Sequence, residues 1–227
     1  MRKILTVLLA FSLLIPGARA AEGKGKYAAL TIEGCPNEVL PRLLAEMERY
    51  DAKVTFLLSG AQMEADPKLI RMINDSGHEI GLSGFSCATV TGLTRRKIGR
   101  ELAAARAQIP KNCKVTFVRP PDGVFTDGLR QVAEVTNLSL LGWSADPGSW
   151  RAEEGQRIGR IRDGDVIRIR AATPGSIDAA LSLIDQLQKQ GYSFVTVSQL
   201  AKVRKVRLHP GKYTHPFIPP RRLKTGF

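Results

Sequence analysis

The chain has 227 residues, 43% of them hydrophobic, and a formal charge of +13. That length and apolar content suit one soluble α/β domain with a sizeable core. After the first twenty residues no segment approaches the roughly 20 apolar residues a membrane-spanning helix needs.

Residues 1–20 read as a signal peptide rather than as part of the fold. Arg2 and Lys3 give a basic start, Ile4–Ile15 is an apolar run, and Pro16-Gly17 breaks it. Ala18-Arg19-Ala20 then fits the small-x-small cleavage rule, so the chain is expected to be cut after Ala20 and exported to the periplasm or the extracellular space. With Arg2, Lys3 and Arg19 removed, +10 remains on the mature chain. Export argues against nucleic acid as the partner of this charge and in favour of anionic glycans or other envelope polymers. An oxidising compartment also lets cysteines pair. There are three, Cys35, Cys87 and Cys113, so at least one thiol is left over.

Strands and helices then alternate. Tyr27–Ile32 reads as a buried strand, followed by a helix to about Tyr50 on Leu40, Leu43, Leu44 and Met47. Val54–Leu58 is a second strand. Asp66-Pro67 opens a helix on Leu69, Ile70 and Ile73 that Gly77 closes, and His78–Leu82 is a third strand. Ser83–Thr91 is a polar loop. Thr94 caps a basic helix, Arg95–Gln108, before a fourth strand at Val115–Val118. Arg119-Pro120-Pro121-Asp122-Gly123 is a rigid turn. Helix Asp127–Thr136, strand Leu138–Trp143, a short helix Gln156–Arg162 and strand Asp165–Ile169 follow. Helix Ile177–Gln190, strand Tyr192–Val195 and a short helix Val197–Lys202 complete the domain. About seven alternations argue for parallel strands in a barrel-like α/β fold, spanning residues 21–202. Residues 203–227 read as a basic, proline-rich tail. From Lys202 to the end there are eight Lys or Arg and no acid, a composition that suits a segment lying on the domain or left disordered.

The candidate site starts at Thr31-Ile32-Glu33-Gly34-Cys35-Pro36, a carboxylate at the exit of the first strand, where α/β folds place their chemistry. Further landmarks come in order: Gly77-His78-Glu79-Ile80-Gly81, Arg119-Pro120-Pro121-x-Gly123, Asp146-Pro147-x-x-Trp150 and Gly164–Arg170. With these segments the chain resembles the polysaccharide deacetylases of the NodB-homology, carbohydrate esterase type, over about Tyr27 to Lys202. The resemblance implies a TIM-barrel-like α/β fold, a distorted (β/α) barrel of about seven parallel strands, and hydrolysis of acetyl groups on glycans. In the family, an Asp and two His hold zinc or a similar divalent ion, which polarises the acetyl carbonyl and activates water. A second Asp is the base, and a His near the last motif is the acid.

Carried over position by position, the pattern is degenerate. Glu33 stands at the base position. Gly34, Ser83 and Cys87 stand at the three metal positions, and Arg170 replaces the acid His. A guanidinium stays charged and delivers no proton. Arg119, which contacts the base in such enzymes, and Asp146, which tunes the acid, remain. Pro120, Pro121, Asp122 and Trp150 are the matching substrate-side positions. The expectation is a protein without bound metal, a glycan- or partner-binding pseudoenzyme. The alternative is a divergent active deacetylase with Glu33 as base. Two expectations about contacts follow from the resemblance: a Cys35–Cys87 disulfide across the former metal site, and ion pairs Glu33–Arg119 and Asp146–Arg170.

Overall fold

The computed structural model of the chain describes residues 25–34, 37–86, 89–121, 123–146, 161–171, 174–211 and 213–214. The leader and the helix expected from Gln156 lie outside them, apart from Ile161 and Arg162, which are not helical. The described strands are β1 (Lys26–Glu33), β2 (Thr55–Leu58), β3 (Glu79–Leu82), β4 (Val115–Val118), β5 (Ser139–Leu141), β6 (Val166–Arg170), β7 (Tyr192–Phe194) and β8 (Tyr213–Thr214). The helices are α1 (Leu40–Arg49), α2 (Gly60–Ala65), α3 (Lys68–Asp75), α4 (Arg95–Ala107), α5 (Asp127–Val135), α6 (Pro174–Lys189) and α7 (Val197–Val203). None of the described helices is long and apolar enough to cross a membrane.

All strand pairings among the described residues are parallel, in the order β6-β1-β2-β3-β4-β5-β8, with β7 paired to the first residues of β1. The segment leaving β5 returns to β6 through a bridge between Ala145 and Ile167, which curls the sheet into a distorted barrel. The expected fold class is thus the observed one. Two elements escaped the sequence reading. α2 is six residues capped by the Ser59 hydroxyl, too short to show a helical period. β8 has only two residues, and it draws the chain beyond 202 onto the edge at β5. The anchors are Gly211 N–H to Leu138 O (2.8 Å) and Ser139 Oγ to His209 O (3.1 Å).

Period-two alternation sorts the strand side chains between two apolar layers. In β1, Ala28, Leu30 and Ile32 face the helices and join the larger core with Leu40, Leu43, Leu44 and Met47 of α1. Each of the buried Leu, Ile and Met side chains contributes about 1.5–3 kcal/mol. Ala29 faces the barrel interior, in a smaller cluster with Leu57, Phe117, Leu141 and Val166. Val197, Leu200 and Ala201 of α7 join that inner cluster, so α7 plugs the barrel at the N-terminal ends of the strands. The plug is pinned by the Glu79 carboxylate. It accepts hydrogen bonds from Thr55 Oγ1 (2.8 Å), the Ser198 N–H (3.2 Å) and the Ser198 hydroxyl. Burial pushes the Glu79 carboxyl above its usual range, against these hydrogen bonds.

His78 is structural. Its Nδ1 accepts the Val54 N–H (3.2 Å) and its ring packs edge-on against Phe56 at 5.6 Å. Burial, aided by Lys53, lowers its pKa from 6.5 to about 4. Between those values the unfolded chain binds a proton that the folded chain refuses. Stability is therefore expected to be full above pH 6.5 and to fall by up to about 3 kcal/mol as pH drops to 4. Urea denaturation across that range checks this. His78→Asn, which offers an acceptor and no titration, should flatten the slope; an unchanged slope would assign it to other groups.

Candidate functional site

The site is built at the C-terminal ends of β1, β4 and β6. Inward positions of these strands carry Thr31 and Glu33 on β1, Arg119 just past β4, and Arg168 and Arg170 on β6. Thr31 lies opposite Arg168 in the ladder, and Glu33 lies opposite Arg170.

Arg119 is fully buried. Its Nε donates to Leu141 O (3.0 Å) and its Nη2 to Gly142 O (2.6 Å). Its Nη1 donates to Thr31 Oγ1 (2.8 Å) and to Glu33 Oε1 (2.7 Å). One guanidinium thus ties β1 to the end of β5 across the barrel. A fork with five N–H donors does this where an ammonium would not.

The other oxygen of Glu33 belongs to Arg168. Arg168 Nε donates to Glu33 Oε2 (2.9 Å) and Nη2 lies 2.8 Å from the same oxygen. Nη2 also donates to Pro121 O (2.9 Å), while Nη1 lies 3.8 Å from Asp146 Oδ2. The Arg168 guanidinium stacks 4.3 Å from the Trp143 ring, and that of Arg119 lies 5.4 Å from it. Gly123, at φ +65°, lets Trp143 come this close, since a Cβ there would meet the indole at 2.1 Å. Arg170, half exposed at the end of β6, reaches Asp146 Oδ2 at 3.6 Å. The result is an alternating ladder, Arg119–Glu33–Arg168–Asp146–Arg170, running from the buried wall to the barrel mouth.

Both expected pairs, Glu33–Arg119 and Asp146–Arg170, are therefore in contact, the second more loosely. Sequence reasoning missed Arg168. The signal was there: in V-I-R-I-R, Arg168 has the same parity as Arg170 and faces inward from an otherwise apolar strand. A charge in such a place needs a partner. Arg168 takes Glu33 because it sits one inward position deeper than Arg170 and its long side chain rises along the wall.

Pro120 is buried and lines a small apolar pocket with Ser83, Val90, Leu93 and Leu129, between the ends of β3 and β4 and helices α4 and α5. Pro121 presents its carbonyl to Arg168. Asp122 and Trp150 lie outside the described residues, as do Cys35 and Cys87 and therefore the expected disulfide. Cys113 is a free, buried thiol whose Sγ lies 3.6 Å from Asn74 Oδ1. Burial raises its pKa.

The described residues do not fit a divalent metal. No three His, Cys, Asp or Glu among them come together. Gly34 is exposed and brings no side chain, and Ser83 offers only a hydroxyl. Both carboxylates at the mouth already face guanidinium groups, and a dication placed there would meet three of them.

Comparison with known proteins agrees with this architecture. The family described as polysaccharide deacetylase matches residues 20–141. The peptidoglycan-N-acetylmuramic acid deacetylase PdaC of Bacillus subtilis is 30% identical over 202 residues, 85% of this chain and 42% of PdaC, so the chain spans less than half of that relative. Among solved structures, one described as T48 deacetylase with substrate superposes with a TM-score of 0.74 at 26% identity, over 84% of this chain and 96% of the other. A CE4 family pseudoenzyme from Bacillus anthracis superposes with a TM-score of 0.71 at 26% identity, over 84% of this chain and 70% of its own. With the barrel, the ordered motifs and a family match over more than half its length, this chain belongs to the polysaccharide deacetylase family.

Proposed function

We propose that this protein is an exported member of the family that binds a glycan without metal-dependent deacetylation. One observation carries the reading: Glu33, at the position matched to the family's base, is held inside an ion-pair ladder of three guanidinium groups and two carboxylates. Both oxygens of Glu33 are engaged, at 2.7 Å by Arg119 and at 2.9 Å by Arg168, so two guanidinium groups already share the carboxylate that would serve as base. The position matched to the acid His holds Arg170, which has no proton to give at working pH. A family fold without the family chemistry has a precedent in the similar B. anthracis structure described as a pseudoenzyme. Export is supported by the basic start, apolar run and cleavage pattern of residues 1–20.

The test is metal content and acetate release on the same purified mature protein, with acetylated amino-sugar oligomers and acetylated xylan, with and without zinc or cobalt. The expected result is no stoichiometric metal and no turnover, with oligosaccharide binding retained. Metal-dependent turnover would overturn the reading. Turnover without metal that Glu33→Gln abolishes would establish instead a divergent deacetylase with Glu33 as base.

A further inference from the structure

Among the described residues the ladder holds three guanidinium groups against two carboxylates, and the third guanidinium, that of Arg170, lies toward the open end. Arg119 and Arg168 are buried and bonded. Arg170 is different: its side chain is 52% exposed, and among the described residues its contact is the 3.6 Å approach to Asp146, too long for a hydrogen bond. Its backbone is nonetheless fixed, since β6 pairs with β1 through Glu33 and the Ala171 N–H donates to Glu33 O (2.9 Å). Arg168 Nη1, at 3.8 Å from the same Asp146 oxygen, faces the same side.

We propose that the barrel mouth receives the carboxylate of an acidic sugar, gripped by Arg170 with Arg168 behind it. This rests on the glycan-binding reading above and narrows it to a chemical class. A neutral sugar offers the half-exposed Arg170 only neutral acceptors, whereas a carboxylate offers a charge-assisted partner. A planar guanidinium fork matches a carboxylate with two parallel hydrogen bonds. Asp146 acts as a positioning residue that holds two like-charged guanidinium groups side by side. α4 follows β3 and so starts at the same end of the barrel, where Arg95, Arg96 and Lys97 are exposed. They add a positive field that steers an anion toward the mouth and makes binding salt-sensitive.

The experiment is calorimetric titration of the mature protein with trigalacturonic acid and with neutral chitotriose, at about 50 mM and about 300 mM salt. Trigalacturonic acid is expected to bind at least about tenfold more tightly, and to weaken with salt. Arg170→Gln should remove about tenfold or more of that affinity and leave chitotriose unchanged. Arg170→Lys should recover only part, because a point charge lacks the fork. Thermal midpoints of both variants check that they are folded, and the comparison of ligands on the unaltered protein does not depend on them. Equal binding of both sugars, untouched by Arg170→Gln, would overturn the carboxylate site and leave glycan binding standing. Binding of neither would overturn both.

Discussion

Replacing Arg119 by leucine is expected to lower the unfolding free energy by about 3–5 kcal/mol. Arg119 is fully buried and makes four hydrogen bonds, to Leu141 O, Gly142 O, Thr31 Oγ1 and Glu33 Oε1. Leucine fills part of the volume but orphans two buried carbonyls and half of the Glu33 carboxylate. Each lost acceptor partner costs about 1–3 kcal/mol where water cannot enter. Arg119→Lys should rescue little, because one ammonium cannot reach β1 and the end of β5 together. Glu33→Gln alone should cost less, since Arg119 keeps its two carbonyls and Thr31. The double variant should cost less than the sum of the two singles, because both remove the same contact. Urea midpoints of the four proteins measure this. A loss below about 1 kcal/mol for Arg119→Leu would mean that water replaces the guanidinium and that the wall is not dry.

Rebuilding the family metal positions alone is expected not to create an enzyme. Gly34→Asp, Ser83→His and Cys87→His would supply the family's Asp and two His. Gly34 has room for a side chain as far as the described residues go, since none of them lies within 4 Å of a Cβ there, and Asp tolerates its φ of +66° better than most residues. Arg168 and Arg170 would still face the rebuilt centre, and Arg168 would still hold Glu33 Oε2. A dication near two guanidinium groups meets like-charge repulsion in a poorly solvated place. Zinc-dependent acetate release is therefore expected only when Arg168→Met and Arg170→His are added. The second of these returns a titratable acid, worth about 100-fold or more. Zinc-dependent turnover by the triple variant alone would show that the ladder yields to the metal. That would remove its claim to exclude metal chemistry in the natural protein.

These two results bear on one question, whether the ladder only fills the end of the barrel or also binds a ligand. A filling role predicts large stability losses and no ligand effect. A binding role adds the loss of acidic-sugar affinity when Arg170 is changed, with stability nearly intact, because the Arg170 side chain is half exposed and its only ion pair among the described residues is the loose one to Asp146.

The amino-acid sequence by itself determined the family, the alternation of strands and helices, and the identity of the residues at the strand ends. Local signals carry that information. Examples are the apolar alternation of Tyr27–Ile32, the Thr94 cap on α4 and the Pro120-Pro121 turn after Arg119. Glu33 and Arg119 were readable as partners because the family resemblance sets an Arg against the base position and a buried charge needs a partner. Only the tertiary structure decided that Arg168 completes the site. Its role depends on the register of β6 against β1, which puts it opposite Thr31 and one inward position below Arg170. The two-residue strand β8 was hidden for the same reason: pairing with β5 is a long-range contact that two residues of sequence cannot announce. Parallel strands are joined by long crossovers, so which side chains meet in the barrel is set by pairings between residues more than a hundred positions apart. Local propensity has no access to that distance.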